Sequence, residues 1–526
     1  MTGEQERAHL PQSWTYTTLE ELCNKITDGT HRTPKYVSEG VPFISTTNIV
    51  PFKKDFDFSQ YKKFISRKEH EELVKRSNPA KGDILVSKCG TIGRAQVVNV
   101  DYDFSIFVGL ALLKLRNQVV FSKFLEYWLN YHGTKKRLEE VALGSTRRTL
   151  TINAINRVGV PLPPLPEQNR IVDRVEELFA RLDAGVEGLR KVKTQLKRYR
   201  QAVLKYAFEG KLTEEWRKTH KDQIEPAFSL LQCILKNRRL KWEPNHFAQM
   251  KDKGMTSKDD RWAKKYKEPI SPDTSDLPRL PDEWIWVTLD QLAWSVKDGP
   301  HYSPEYSDQG IPFITGGNVR PSGVDFDSAK RISPELHRKY SERCKPEIGD
   351  ILYTKGGTTG VARVNTYSHE FSVWVHVAVL KLAGPLEPFY VQHALNSPFC
   401  HEQAQRFTHG VGNQDLGLTR MTRIVLSLPP LAEQKKIIAE IDHLQSITDE
   451  VERIVETNLG YAEHLRQTIL RDAFLGKLVP QDPDDEGADK LLERIKAERA
   501  KSKGEKDTNK GRKNKPKQSE LPNYVK

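Results

Sequence analysis

The chain repeats itself, and this constrains its fold more than any other feature. Residues 40–44 (GVPFI) recur at 310–314 (GIPFI), an offset of 270. Residues 82–85 (GDIL) recur at 349–352 with an offset of 267, and residues 162–165 (LPPL) recur at 428–431 with an offset of 266. Three blocks in one order, with an offset that drifts by only four residues, indicate a tandem duplication. The fold must therefore contain two copies of one unit.

Each copy begins with a mixed region and ends in a long helix. Short β-rich runs alternate with Gly, Pro and Asn, which is typical of a compact α+β domain. A Pro-Pro pair ends each domain, and a long helical pattern starts at Glu167 and at Glu433. The sequence therefore predicts α+β domains at 1–161 and 280–427, long helices at 162–212 and 428–479, a linker at 213–279 with a short helix at 228–240, and an acidic then basic disordered tail at 480–526 with a helix at 489–499.

Both long helices carry apolar residues at alternating steps of three and four, the a/d pattern of a coiled coil. Thr448 and Asn458 fall on this seam, where a buried polar side chain usually fixes register and partner. The alternative is that each helix packs only on its own domain. The seam positions are Ile171, Val175, Leu178, Leu182, Gly185, Leu189, Val192, Leu196, Tyr199, Val203 and Tyr206, then Ile437, Ile441, Leu444, Thr448, Val451, Val455, Asn458, Ala462, Leu465 and Ile469.

Composition limits the class of partner and the compartment. The formal net charge of +13 and a pI of about 9.2 favour a polyanionic partner. The alternative is a soluble protein that is basic but binds no polyanion. Five cysteines without a Cys-x-x-Cys pair predict neither a zinc site nor a disulfide framework. We find no apolar run long enough to span a membrane and no secretory signal, so the sequence predicts a soluble cytoplasmic protein.

The residues offer no chemistry of their own. Gly210-Lys211 and its counterpart Gly476-Lys477 are followed by Leu, so they do not form a phosphate-binding loop and are better interpreted as helix C-caps. Residues 396–399 (NSPF) are similar to the Asn-Pro-Pro-Tyr loop of amino-methyltransferases but contain one proline instead of two. The sequence therefore predicts no catalytic, cofactor-binding or metal-binding residue in this chain.

The doubled LPPLxEQ motif before a long helix that ends in AFxGKL resembles the specificity subunit of Type I restriction–modification enzymes. The GxPFI and GDIL blocks are similar to those of its target recognition domains, and the resemblance covers essentially the whole chain. It implies two target recognition domains joined by helices in an antiparallel coiled coil, a tandem pseudo-symmetric α+β repeat. Each domain would read one half of an asymmetric, bipartite double-stranded DNA site, and the helices would set the gap between the halves.

The resemblance also implies partners. Two methyltransferase (modification) subunits and two restriction (translocase-endonuclease) subunits would complete the complex, and S-adenosylmethionine, Mg²⁺ and ATP would belong to them. The chain itself would not be an enzyme, and the complex would defend the cell against foreign DNA. The alternative is a stand-alone two-headed nucleic-acid-binding regulator without such partners; a nuclease or methyltransferase is disfavoured by the missing motifs.

Two loops at matching places in the repeat are candidates for DNA contact. The first, 88–94, offers Lys88, Thr91 and Arg94, and the second, 355–360, offers Lys355 and Thr358. A Gly-Thr-x-Gly turn beside a lysine lets backbone N–H groups and a cation approach a phosphate. An ordinary hairpin turn is the alternative.

The segments before the Pro-Pro pairs are further candidates. Residues 144–151 offer Arg147 and Arg148, whose guanidinium groups suit guanine or phosphate; residues 409–420 offer Asn413 and Gln414, whose amides suit adenine. These positions are equivalent at the offset of 266 but chemically different, as two unlike half-sites require. A solvated polar loop is the alternative.

Overall fold

The computed structural model describes residues 10–52, 63–116, 119–144, 148–252, 266–410 and 414–497. The chain divides into two compact units, of which the first consists of two stretches of the sequence and the second of one. Unit 1 contains residues 1–189 and 457–526, and unit 2 contains residues 190–456. Each unit therefore holds one globular domain and parts of both long helices.

The strands confirm the predicted α+β domains. Unit 1 contains β1 (Thr15–Thr18), β2 (Cys23–Asp28), β3 (Tyr36–Val37), β4 (Val41–Ile44), β5 (Phe64–Ile65), β6 (Ile84–Ser87), β7 (Ala95–Val97), β8 (Ser105–Ile106), β9 (Leu110–Leu115) and β10 (Gly159–Leu162). Unit 2 contains β11 (Ile285–Thr288), β12 (Ala293–Asp298), β13 (Ile311–Ile314), β14 (Val319–Arg320), β15 (Gly323–Val324), β16 (Lys330–Ile332), β17 (Ile351–Thr354), β18 (Ala362–Val364), β19 (Ser372–Val373), β20 (Val377–Leu382) and β21 (Val425–Leu428).

Among the described residues, the helices follow the same repeat except for the short helix Glu214–His220, which has no counterpart after the second long helix. They are α1 (Leu19–Leu22), α2 (Arg67–Leu73), α3 (Ser122–Asn130), α4 (His132–Glu140), α5 (Ile152–Asn156), α6 (Leu165–Phe208), α7 (Glu214–His220), α8 (Ala227–Asp252), α9 (Leu289–Leu292), α10 (Pro334–Arg343), α11 (Pro388–Leu395), α12 (Pro398–Phe407), α13 (Leu418–Met421), α14 (Leu431–Phe474) and α15 (488–497). Helices α6 and α14 each end before a glycine with a left-handed φ, Gly210 at 74° and Gly476 at 68°, which confirms the predicted C-caps.

Among the described residues, the main antiparallel sheet has the same strand order in both units, whereas the second sheet is β3-β5-β4-β8 in unit 1 and β16-β13-β19 in unit 2, where β14 and β15 form an additional pair. An antiparallel sheet has the order β2-β9-β6-β7 in unit 1 and β12-β20-β17-β18 in unit 2. Beside it, β4 pairs in parallel with β8, and β13 pairs in parallel with β19. The strands β1 and β10, like β11 and β21, form a separate antiparallel pair next to the start of the long helix. The duplication seen in the sequence is therefore a duplication of topology.

The repeated Glu-Gln dipeptide anchors each long helix to its domain. The indole Nε1 of Trp14 donates to Glu167 at 3.0 Å, and that of Trp284 donates to Glu433 at 2.7 Å. Both carboxylates are buried, and burial raises the pKa of Glu167 despite hydrogen bonds from Gln481 and Trp14. The LPPLxEQ motif is thus a structural joint between domain and helix.

The long helices pair antiparallel, as predicted. In unit 2, Lys193 Nζ lies 2.7 Å from Glu456 and Arg200 lies 2.6 Å from Asp449, so the numbers rise along one helix as they fall along the other. In unit 1, Asp183 pairs with Arg466 in the same sense. The hydroxyl of buried Thr448 accepts from Arg200 Nε at 3.2 Å, which confirms a polar partner on the seam.

The seam prediction fails at several positions. Tyr199, Tyr206 and Leu465 are 46%, 53% and 50% exposed, and Asn458 and Gly185 are also exposed. A straight helix of 3.6 residues per turn drifts away from a strict seven-residue repeat, so the buried face changes along its length. At the helix ends that face packs on a domain, which buries residues outside the predicted seam: Phe179, Leu204, Ala207 and Phe208.

Each domain core is completed by the end of the other copy's helix. In unit 1, the last turn of α14 inserts Phe474 against Phe124 and Trp128, with ring centroids 5.5 and 5.0 Å apart. In unit 2, the last turn of α6 packs Phe208 against Tyr390 at 5.3 Å. The start of each domain's own helix lies in the same core, since Ile171 and Ile437 are buried there.

The predicted linker and tail both contain an element of the core, which corrects the sequence analysis. Helix α8 is longer than predicted and buries Ala227 and Ile234 in unit 2, and α15 buries Ala488 and Ile495 in unit 1. The backbone N–H of Ala227 donates to Glu283, and that of Ala488 donates to Ser13, both at 3.0 Å. The shared pattern AxxLLxxI, at an offset of 261, extends the duplication beyond the long helices. The rest of the tail, 498–526, lies outside the described residues.

Candidate nucleic-acid interface

Loops that are distant in the sequence meet at the ends of the strands in each domain. In unit 1, the N–H of Leu150 donates to Lys88 O at 2.8 Å, that of Lys88 donates to Gly109 O at 2.7 Å, and that of Val108 donates to Thr30 O at 3.0 Å. This surface is named loop cluster 1, and it consists of residues 28–32, 88–94, 107–109, 143–144 and 148–150. The structure therefore brings together the two candidate segments that the sequence analysis identified separately.

Unit 2 builds the equivalent surface, in which two of these three hydrogen bonds recur. The N–H of Leu416 donates to Lys355 O at 2.7 Å, and that of Lys355 donates to His376 O at 2.9 Å. We call this surface loop cluster 2 (298–302, 355–361, 374–376, 409–410 and 414–417). The backbone framework of the two loop clusters is therefore equivalent.

The Gly-Thr-x-Gly turns need their glycines. Gly90 and Gly93 have φ values of 72° and 78°, and Gly357 and Gly360 have values of 76° and 99°. This left-handed region costs an L-residue energy and favours glycine. The turns leave Thr91 and Thr358 exposed at their tips, and Thr358 Oγ1 donates to Gly316 O at 3.0 Å.

The two lysines of these loops lie beneath the surface, which corrects their predicted role. Lys88 is 5% exposed, and its Nζ lies 2.5 Å from Asp28 Oδ2. Lys355 is 3% exposed and has two carboxylate partners, Asp298 at 3.3 Å and Asp415 at 3.0 Å. A buried ammonium group stays paired with its carboxylate, because separating the two would leave an unpaired charge inside the protein. These lysines hold the loops in place, and contact between the loops and a phosphate stays a prediction for the exposed residues.

The other candidate residues stay at the surface where they are described. Arg94 is half-buried, and Gln414 is exposed. Arg148 is exposed, with Nη1 3.5 Å from Glu139 O. Arg147 and Asn413 lie outside the described residues.

The aspartate at the end of β2 and of β12 is the centre of a cluster that the sequence analysis missed. Burial alone would raise the pKa of Asp28, but hydrogen bonds from Arg76, Lys88 and His31 outweigh it and lower the pKa to about 2. The pKa of Asp298 is lowered too, because Arg343, Lys355 and His301 outweigh its burial. Both carboxylates are therefore ionised partners of one arginine and one lysine.

The arginine and histidine of this cluster are half-exposed in both units. Arg76 Nη2 lies 3.2 Å from His31 Nε2, and Arg343 Nη2 lies 3.2 Å from His301 Nε2. Their side chains are between 54% and 63% exposed. Asp28 and His31 also recur in the sequence as Asp298 and His301, but an Asp-Gly dipeptide by itself indicates only a turn. Arg76 and Arg343 recur at the offset of 267, which is the signal that would have identified them.

Among the described residues, every helix is too short or too polar to cross a lipid bilayer. In the same part of the chain, no three His, Cys, Asp or Glu side chains are grouped so that they could hold a metal ion.

Comparisons with known proteins agree with the geometry. The family described as the Type I restriction modification DNA specificity domain matches residues 11–190 and 281–458. The EcoBI specificity subunit of Escherichia coli is 24% identical over 497 residues, which cover 89% of this chain and 94% of that protein. The EcoKI specificity subunit of Escherichia coli strain K12 is 23% identical over 528 residues, which cover 95% and 98%.

A solved chain also has this fold. It comes from a structure on complex assembly and conformational transition of the type I R-M system, has a TM-score of 0.55 and 18% identity, and matches 89% of this chain and 99% of its own length. The two family matches coincide with the two copies found in the sequence and in the topology. The chain therefore belongs to the family of Type I restriction–modification DNA specificity domains, which it carries twice.

Proposed function

We propose that the chain is the DNA-recognition subunit of a Type I restriction–modification complex. Each domain reads one half of a bipartite asymmetric site, and the paired helices set the gap between the halves. One observation carries this proposal: the two loop clusters share their framework and their inner cations but differ in the side chains at their surface.

The features that the two loop clusters share are suited to contact with phosphates, which are present in every half-site. Phosphate contacts position a protein on DNA and carry no direct sequence information. The half-exposed pairs Arg76–His31 and Arg343–His301 recur with the same geometry, so we assign them to phosphates. The net charge of +13 supports such contacts.

The exposed side chains that differ between the two loop clusters are suited to reading the bases, which differ between the two half-sites. Arg148 in loop cluster 1 and Gln414 in loop cluster 2 are exposed at equivalent positions. A guanidinium pairs with guanine O6 and N7, whereas an amide pairs with adenine N6 and N7. Their neighbours Arg147 and Asn413 differ in the same way. We assign these positions to base recognition.

The reactions belong to partners. Two modification subunits would supply methyl transfer from S-adenosylmethionine, and two restriction subunits would supply cleavage that needs ATP and Mg²⁺. The matched relatives named as specificity subunits of Type I restriction enzymes support this division. The chain itself recognises DNA and performs no reaction, and the complex works in the cytoplasm.

The test is a methylation map. The chain is purified alone and with its modification subunit, and each preparation is incubated with genomic DNA and S-adenosylmethionine. We expect methylation only with the partner, at one split sequence. Arg148→Ala should alter one half of that sequence, and Gln414→Ala should alter the other. Methylation by the chain alone, or methylation without a split sequence, would overturn the proposal.

A further inference from the structure

At three neighbouring positions, two in each loop cluster and one beside it, one unit has a larger side chain where the other unit has glycine. Unit 1 has Thr46, Cys89 and Gly109, and unit 2 has Gly316, Gly356 and His376 at the same positions. The register is fixed by matching hydrogen bonds from Lys88 N to Gly109 O and from Lys355 N to His376 O. We call these three positions the exchange pocket. They differ completely, although the turns and the ion pair beside them repeat.

The exchange follows from steric limits. A Cβ atom at Gly356 would lie 2.2 Å from His376 Nδ1, so a side chain at 356 is incompatible with this histidine position. A Cβ atom at Gly316 would lie 2.8 Å from Gly356 O. In unit 1 the situation is reversed, since a Cβ atom at Gly109 would lie 3.0 Å from both Cys89 Sγ and Thr46 Cγ2. A side chain at 356 and the histidine at 376 therefore exclude each other in this arrangement, and a side chain at 109 is limited by Cys89 and Thr46 in the same way, whereas position 316 is limited by the backbone of residue 356.

The chemistry that reaches the surface differs accordingly. In unit 2, the His376 side chain stays 30% exposed, with Nδ1 3.4 Å from Asp415 Oδ2, next to exposed Gln414. In unit 1, Gly109 is buried, and Thr46 and Cys89 are half-buried above it. Unit 2 thus presents an imidazole where unit 1 presents a hydroxyl and a thiol. An imidazole nitrogen can donate to or accept from a base edge.

We propose that the exchange pocket is a specificity-determining element. In unit 2, His376 contacts a base edge of that domain's half-site through Nε2, because Nδ1 is buried on the side of the ring that faces Asp415. In unit 1, Thr46 and Cys89 present different groups to the other half-site. The inference rests on the proposed function, because it assigns a readout to a surface already assigned to DNA. The coupled volumes explain how two unlike readouts use one framework.

The experiment exchanges the pocket within the full chain, assembled with its modification subunit. The triple variant Gly316→Thr, Gly356→Cys, His376→Gly should change the preferred base at one or two positions of one half-site. The reciprocal triple variant Thr46→Gly, Cys89→Gly, Gly109→His should change the other half-site. His376→Ala creates no clash and should reduce discrimination at the contacted base about tenfold or more, without changing the thermal unfolding midpoint by more than a few degrees.

The outcomes separate the inference from the proposed function. A His376→Ala variant that folds and methylates the parental site with parental discrimination would overturn the inference, even if the triple variants do not fold. Gly356→Cys alone is the steric control, and it should destabilise loop cluster 2. A parent complex that methylates no split sequence would overturn the proposed function, and the inference with it.

Discussion

Lys88 Nζ and Asp28 Oδ2 lie 2.5 Å apart in unit 1, and both side chains are buried beneath loop cluster 1. The equivalent pair in unit 2, Lys355 and Asp298, is 3.3 Å apart and has an additional carboxylate, Asp415, at 3.0 Å from the lysine. Position 149 in unit 1, which corresponds to Asp415, is a threonine. Among the described residues, the lysine of this loop therefore has one carboxylate partner in unit 1 and two in unit 2.

This difference predicts unequal costs for matched substitutions. Asp28→Asn removes the ionised partner of Lys88 and should cost about 3–5 kcal/mol, the usual cost of breaking a buried ion pair. Asp298→Asn should cost clearly less, because Asp415 still pairs with Lys355. Denaturant unfolding monitored by hydrogen exchange in each loop measures the cost of both substitutions. Equal costs would show that Asp415 does not compensate.

The lowered pKa of Asp28 predicts a loss of stability in acid. A carboxyl with a pKa of about 2 in the folded state and about 3.9 in the unfolded state contributes stability above the unfolded value. That contribution disappears as the pH falls from about 5 towards 2. Thermal unfolding of the parent and of Asp28→Asn should therefore converge over this range. A difference between them that stays constant with pH would contradict the ion pair.

The shared cations predict a salt-dependent effect without a change of sequence. Arg76→Gln and Arg343→Gln should each weaken binding to every DNA sequence alike and reduce the slope of log K against log salt by about 0.9, the contribution of one phosphate contact. Arg453→Gln is the control, because Arg453 lies on α14 and pairs with Glu450. A change in the methylated sequence would instead assign Arg76 to bases.

The paired helices predict a change of spacing when both are lengthened together. Seven residues inserted after Gly188 and seven after Gly460 keep the heptad register, and a side chain at either glycine would meet open space. Each helix grows by about 10 Å at 1.5 Å per residue. Since DNA rises about 3.4 Å per base pair, the gap in the methylated site should grow by about three base pairs. This paired insertion avoids residues 209–212, where Gly210 packs against Pro281.

The control for spacing is the pair of half-sites. They should stay unchanged in the lengthened variant, because the domains are untouched. If a variant that folds and methylates keeps the parental gap, the domains or the partner subunits set it, and the helices do not.

The shared cores predict that a helix end stabilises the domain of the other copy. Phe474→Ala should cost about 3–5 kcal/mol and should raise hydrogen exchange in α3 and in the strands of unit 1. Phe208→Ala is the matched variant and should affect unit 2 around Tyr390. Exchange that rises in the domain of the same repeat instead would contradict this assignment.

The sequence predicted the repeat, the α+β domains and the two long helices from local pattern and motif spacing, and it predicted their antiparallel pairing from the family resemblance. It misplaced Tyr199 and Tyr206 on the seam, because periodicity cannot show where a helix turns from its partner helix to a domain. It also assigned Lys88 to the surface. Burial of a lysine depends on a distant aspartate at the end of another strand, and only the assembled sheet shows that partner.

The exchange of helix ends between the copies carries a consequence for ancestry. A single copy, expressed alone, would have a domain whose core lacks its last aromatic side chain, and a helix end with no core to enter. Two identical copies would satisfy each other, since Phe208 and Phe474 play the same part. The architecture is therefore the one that two identical chains, each completing the core of the other, would have if they were joined into one polypeptide. In the joined chain each half can carry its own surface, while each still depends on the other for its core.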